Sequence, residues 1–131
     1  MNLNQVTLPA VNIVESVSFY RKMGFTQIVE SPHYARFECP EGDSTFSVHL
    51  VKEINNNETG VVIYFESERL DELVDSLKGI GFQFLQEPTD ESWLWREARL
   101  KDPAGNEICL YYAGEKKKST LADKQNVVTL G

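Results

Sequence analysis

Residues Leu100 to Tyr112 read LKDPAGNEICLYY. Asp102-Pro103-Ala104-Gly105-Asn106 has the composition of a tight turn. Glu107 onward reads as a strand, and so does Trp93 to Leu100 on the near side of the turn. A second turn of the same kind, Pro40-Glu41-Gly42-Asp43, separates Tyr34–Cys39 from Thr45–Val51, both strand-like.

Working outward, the whole chain repeats itself. KMGFTQIVE follows a first helical stretch and GIGFQFLQE follows a second, so that Gly24-Phe25 returns as Gly81-Phe82 and the turn glycine Gly42 returns as Gly105. The first helix is announced by Asn12 as its cap, with Glu15 three residues on. Ile13, Val17 and Tyr20 make its apolar face, and Gly24 ends it. The second helix is expected after Ser67 as cap, with Asp71 and Glu72 at its positive end and Leu70, Leu73, Val74 and Leu77 as its stripe. Each half reads strand–helix–strand–strand–strand. The strands are expected at 3–10, 25–30, 34–39 and 45–51, then 61–65, 82–86, 93–100 and 107–112, with loops at 52–59 and 87–92. Val61 to Phe65 is apolar enough for burial on both faces. The fold class is α+β, one domain over 1–113 built of two βαβββ modules, about 3–51 and 60–113, followed by a tail at 114–131. A half alone has one helix for one face of a four-stranded sheet, so its other face needs cover.

The bulk properties exclude several functions. A chain of 131 residues with a formal net charge of −7 is a poor ligand for nucleic-acid phosphates. No stretch is apolar for the roughly 20 residues of a membrane helix, no basic amphipathic segment suits an anionic membrane, and Met1-Asn2-Leu3-Asn4 lacks the features of a signal peptide. A cytoplasmic location is the expectation, with Cys39 and Cys109 as free thiols. Gly79-x-Gly81 follows a helix, which is the wrong place for a dinucleotide motif.

The duplicated pattern, together with NIVESVSFYRKMGF (Asn12 to Phe25) and LKDPAGNEICLYY, resembles the vicinal oxygen chelate superfamily, which includes glyoxalase I, extradiol dioxygenases and bleomycin resistance proteins. The resemblance implies a cupped mixed sheet with the helices outside, a small-molecule cavity within it, and a homodimer. Its enzymes often hold a divalent metal on four strands. Carried over residue by residue, the ligand positions match Gln5, His49, Val61 and Cys109. Valine coordinates nothing, and cysteine replaces the usual glutamate.

The expected function is therefore metal-independent small-molecule binding, similar to the bleomycin-resistance branch, with no cofactor. Its candidate ligand-binding residues are His49, Gln5, Trp93, Trp95, Cys109 and Tyr111, the aromatic ones as a wall for a planar ligand. One alternative is a lyase, isomerase or dioxygenase holding Zn, Ni, Fe or Mn through His49, Gln5 and Cys109. Another is an interaction module whose cavity its own side chains fill. Arg36, Arg96 and Arg99 are candidate anion contacts, and Glu38 and Glu97 candidate acid–base groups, though on half-exposed strands such charges are usually solvated. His33 reads as a surface residue, and Lys116-Lys117-Lys118 as a solvated run in the tail.

Overall fold

The computed structural model describes residues 1–114, with the side chain of Asn57 outside the description. The tail expectation and the Lys116–Lys118 run lie outside the described residues. Two βαβββ modules are present, each with a four-stranded sheet, and the fold is α+β. The chain divides into two compact units, Met1–Val62 with Lys101–Glu107, and Ile63–Leu100 with the chain from Ile108 on.

In the first unit β1 (Gln5–Ala10), β2 (Thr26–Glu30), β3 (Tyr34–Glu38) and β4 (Thr45–Leu50) form a sheet in the order β1-β4-β3-β2. β1 runs parallel to β4, with Gln5 opposite Thr45 and Pro9 opposite His49; β3 is antiparallel to both its neighbours. The parallel pair requires a crossover, and α1 (Ile13–Met23) begins it. Asn12 Oδ1 accepts from Glu15 N at 3.1 Å, and Gly24 closes the helix at φ 111°, a conformation costly for any side chain. Tyr20 is fully buried, with ring centroids at 4.9 Å from Phe46, 5.7 Å from Phe37 and 6.1 Å from Phe25. By alternation Leu8, Ala10, Ala35, Phe37, Phe46 and Val48 share this core face.

The Asp102–Asn106 turn belongs to this unit and is a buried node as well as a turn. Asp102 Oδ1 accepts from the backbone N–H groups of Ala104 and Asn106, each at 2.9 Å. Its Oδ2 accepts from Tyr20 Oη at 2.5 Å and Asn106 Nδ2 at 2.7 Å. Asn106 Nδ2 also donates to the Pro9 carbonyl at 3.0 Å, and Asn106 Oδ1 accepts from Thr59 Oγ1 at 2.7 Å. Gly105 supplies the positive φ of 90° that the turn needs.

The second sheet comprises β5 (Val62–Glu66), β6 (Gln86–Asp90), β7 (Arg96–Lys101) and β8 (Glu107–Tyr112), in the order β5-β8-β7-β6, with α2 at Leu70–Gly79. Four expectations need correction here. β6 lies at 86–90 instead of 82–86, and β7 begins at Arg96 instead of Trp93. The hairpin decides this: Glu91 N donates to Trp95 O at 2.8 Å and Leu94 adopts φ 76°, so the ladder starts on either side of that turn. Pro88 is accommodated because β6 is an edge strand whose register shifts between Gln86 and Thr89. Ser67 does not cap α2; its Oγ accepts from Arg69 N at 3.3 Å, and the cap position, Arg69, makes no side-chain cap bond. β5 is not buried on both faces, since it is an edge strand with Val62 at 41% and Tyr64 at 49% exposure.

Burial, reinforced by the neighbouring Asp102 carboxylate, holds the Tyr20 phenol well above its ordinary pKa of 10.0. Only the neutral phenol suits the fold, so its contribution is complete below pH 10.0 and is lost as pH rises above it, when the unfolded chain ionises first. At neutral pH Tyr20→Phe is expected to cost about 1–3 kcal/mol in urea unfolding, because it removes a donor from a buried carboxylate. The gap between the parent and Tyr20→Phe should narrow above pH 10.0. A gap that stays constant to high pH contradicts this account.

Candidate functional site

Each sheet has a face away from its helix, and the two faces differ in chemistry. In the first unit, alternation places Gln5, Thr7 and Pro9 of β1, Thr45, Ser47 and His49 of β4, and Tyr34, Arg36 and Glu38 of β3 opposite the core face. This surface is polar. Thr7 Oγ1 and Ser47 Oγ are hydrogen-bonded at 2.7 Å. Arg36 donates to Thr45 Oγ1 at 2.9 Å and to Asn4 Oδ1 at 3.1 Å. Gln5 Oε1 is buried with no hydrogen-bond partner among the described residues. His49 is exposed.

In the second unit the corresponding face is aromatic. Arg96 reaches Asp71 of α2 at 2.9 Å, which fixes the helix side of β7 and puts Glu97 and Arg99 on the other side. There the Trp95 and Tyr111 rings stack with centroids 4.6 Å apart and planes at 22°. Tyr64 meets Tyr111 edge-on at 6.0 Å and 76°, and the Arg99 guanidinium lies 5.8 Å above the Tyr64 ring. Glu97, only 2% exposed, accepts from Trp93 Nε1 at 3.1 Å through Oε1 and from Arg99 Nη2 at 3.2 Å through Oε2. Gln86 Nε2 donates to the Glu97 carbonyl at 3.2 Å and to Glu91 Oε1 at 2.9 Å. Burial, with the carboxylate of Glu66 and the thiol of Cys109 nearby, raises the pKa of the Tyr111 phenol. Cys109 itself is fully buried.

A family model described as the glyoxalase/bleomycin resistance protein/dioxygenase superfamily matches residues 2–110. The chain belongs to that superfamily. Solved structures with the same fold include a glyoxalase/bleomycin resistance protein/dioxygenase from Nocardioides, 22% identical, with a TM-score of 0.71 over 86% of this chain and 83% of that one. A bleomycin resistance determinant encoded on the transposon Tn5 is 18% identical, with a TM-score of 0.73 over 86% and 98%. A bleomycin-binding protein complexed with bleomycin is 18% identical, with a TM-score of 0.71 over the same shares. At these identities the likeness is one of fold. No curated protein matches the sequence significantly.

Within this superfamily member the duplication now has a register. β4 and β8 show nearly the same burial pattern, so Ser47 corresponds to Cys109 and His49 to Tyr111. Laying Gly81 on Gly24 puts Val62 opposite Gln5, next to the Val61 of the sequence-based match. These positions carry an amide, a hydroxyl, a hydrocarbon and a thiol. Of the alternative triad, two members share the first sheet. Gln5 and His49 lie four register positions apart on adjacent parallel strands, roughly 13 Å along the sheet, while strand side chains stand perpendicular to it. Cys109 lies in the other unit. Among the described residues no group of three or more His, Cys, Asp or Glu side chains can hold a metal.

Of the predicted candidates, the structure brings Trp95 and Tyr111 into contact in one unit, and places Trp93 on the buried Glu97. Gln5 and His49 share a face in the other unit without converging. His33 is exposed, as expected of a surface residue. Tyr64 was missed by the sequence reading; its alternation with Ile63 and Phe65 was the available signal. An open groove of about 1060 Å³ between α1 and β2, lined by Ile13, Val14, Val17, Arg21, Gln27 and Pro32 among others, includes none of these candidates.

Glu97 is the buried side chain that holds Trp93 and Arg99 beside the aromatic face. Glu97→Leu removes the acceptor of the Trp93 indole N–H and one partner of Arg99, whose side chain is 23% exposed, and is expected to cost about 1–3 kcal/mol in urea unfolding. His49→Ala, on an exposed position, should leave the midpoint unchanged. Equal effects of the two substitutions would contradict this assignment.

Proposed function

We propose that the chain is a small-molecule binding protein that works without a metal. It takes a flat, apolar or aromatic molecule against Tyr64, Trp95 and Tyr111 and makes or breaks no bond. The observation that carries this reading is the ring array on the face away from α2, held in place beside the Glu97–Arg99 pair. Stacking surface with a few fixed polar groups is the usual make-up of a small-molecule site. The bleomycin complex among the structural neighbours is consistent with it. Gln5 and His49 are candidates for polar contacts to a ligand, and Cys109 and Trp93 support the aromatic face. A homodimer in the cytoplasm is part of the same reading.

One observation favours a second reading as a metal-dependent lyase, isomerase or dioxygenase: Gln5 Oε1 is a buried acceptor without a donor. A ligand N–H or O–H satisfies that acceptor equally well, and the donor set does not favour an ion.

The deciding experiment joins elemental analysis of untagged protein with a panel of neutral aromatic compounds followed by tryptophan fluorescence. The expected outcome is substoichiometric metal and saturable quenching by members of the panel, lost in Tyr111→Leu. About one divalent ion per chain, removed together with stability by Gln5→Leu, would replace this reading with the enzymatic one.

A further inference from the structure

We infer that the molecule held by the Tyr64–Tyr111 corner is an organic cation, an ammonium-like group carrying an apolar or aromatic substituent. The inference rests on the binding reading above and adds the ligand's charge.

Ring geometry is the first support. Tyr64 and Tyr111 stand at 76° to one another with centroids 6.0 Å apart, so together they form two walls of a corner. Trp95, stacked on Tyr111 at 4.6 Å, restrains that ring. Tyr64 keeps 49% of its surface open, so a ligand can reach the pair. Ring faces of this kind attract cations through their quadrupole, and the Arg99 guanidinium at 5.8 Å already uses Tyr64 in this way.

Charge is the second support. An aromatic anion would need a cationic group without a counter-charge on this face. Arg99 is paired with Glu97 at 3.2 Å, so the two add no net charge. The carboxylate left over is Glu66, which is exposed, lies near enough to Tyr111 to act on its phenol, and has no ion pair among the described residues. Glu91 adds a further negative charge at the Gln86 end. The chain as a whole carries −7, a field that attracts cations and repels anions at a distance.

The test titrates benzyltrimethylammonium, benzenesulfonate and benzyl alcohol into the full chain at low salt, read by tryptophan fluorescence and calorimetry. The cation is expected to bind at least about tenfold more tightly than the sulfonate, with Tyr64→Leu weakening it about three- to tenfold. Tyr64→Phe keeps the ring and should retain binding, while Glu66→Gln and added salt should each weaken it. Equal or tighter binding of benzenesulfonate or benzyl alcohol overturns the cationic ligand and leaves small-molecule binding standing. Silence from all three overturns the inference; silence from the neutral aromatic panel as well removes the binding reading with it.

Discussion

A single buried carboxylate organises the first unit. Asp102 is 5% exposed and receives four hydrogen bonds, from Tyr20, from the Asn106 side chain and from two backbone N–H groups of its own turn. Leaving such a group short of donors costs more than the bonds gain, so the turn, α1 and the end of β1 are mutually constrained. The Pro9 carbonyl and Thr59 hydroxyl, both held by Asn106, extend the constraint to the first strand and to the chain just before β5. The turn motif therefore specifies long-range structure. Tyr20 is far from it in sequence and is the ring around which Phe25, Phe37 and Phe46 pack.

From the same strand order the two modules develop opposite surface chemistry. β4 and β8 share a burial pattern, yet the face away from the helix carries Thr45, Ser47 and His49 in one and Glu107, Cys109 and Tyr111 in the other. β1 contributes Gln5, Thr7 and Pro9 where β5 contributes Val62, Tyr64 and Glu66. A duplicated skeleton thus carries a hydroxyl-and-amide surface in one unit and a ring surface in the other. A fold supports many chemistries by this kind of substitution, which is why function has to be argued from the faces themselves.

Much of the architecture was legible because local and global signals agreed. Asn12 marks the start of α1 through its side-chain cap bond, Gly24, Gly42 and Gly105 mark turns whose positive φ favours glycine, and the repeated Gly-Phe pairs locate the duplication. β6 was misplaced because Phe82–Leu85 is apolar and strand-like, while the observed strand QEPTD has poor β-propensity and contains a proline. Its pairing comes from the β6–β7 hairpin, a tertiary constraint with no local signature. The α2 cap failed for a related reason: Ser67 N donates to Tyr111 O at 2.8 Å, which holds the chain extended for one more step before the helix starts. In the site, contacts such as Trp95 on Tyr111 depend on strand order, which a single sequence does not display.

Glu97 shows why the aromatic face is more than exposed hydrophobic surface. Burying a carboxylate costs several kcal/mol unless its partners are fixed, and replacing both members of a buried ion pair by hydrocarbon often serves stability better. Here the partners are Trp93, which the bond ties back from the hairpin tip onto β7, and Arg99, which it positions over Tyr64. The hairpin tip pays in strain as well, with Leu94 at φ 76°, uncommon for a residue with a branched side chain. The buried Glu97 and the strained turn lie on the same strand pair as Trp93 and Trp95. Neither is required by the sheet, whose core on the helix side is already filled by Ala98, Leu100, Ile108 and Leu110. Locally costly features that orient rings on one face are expected where a sequence has been shaped by what that face contacts.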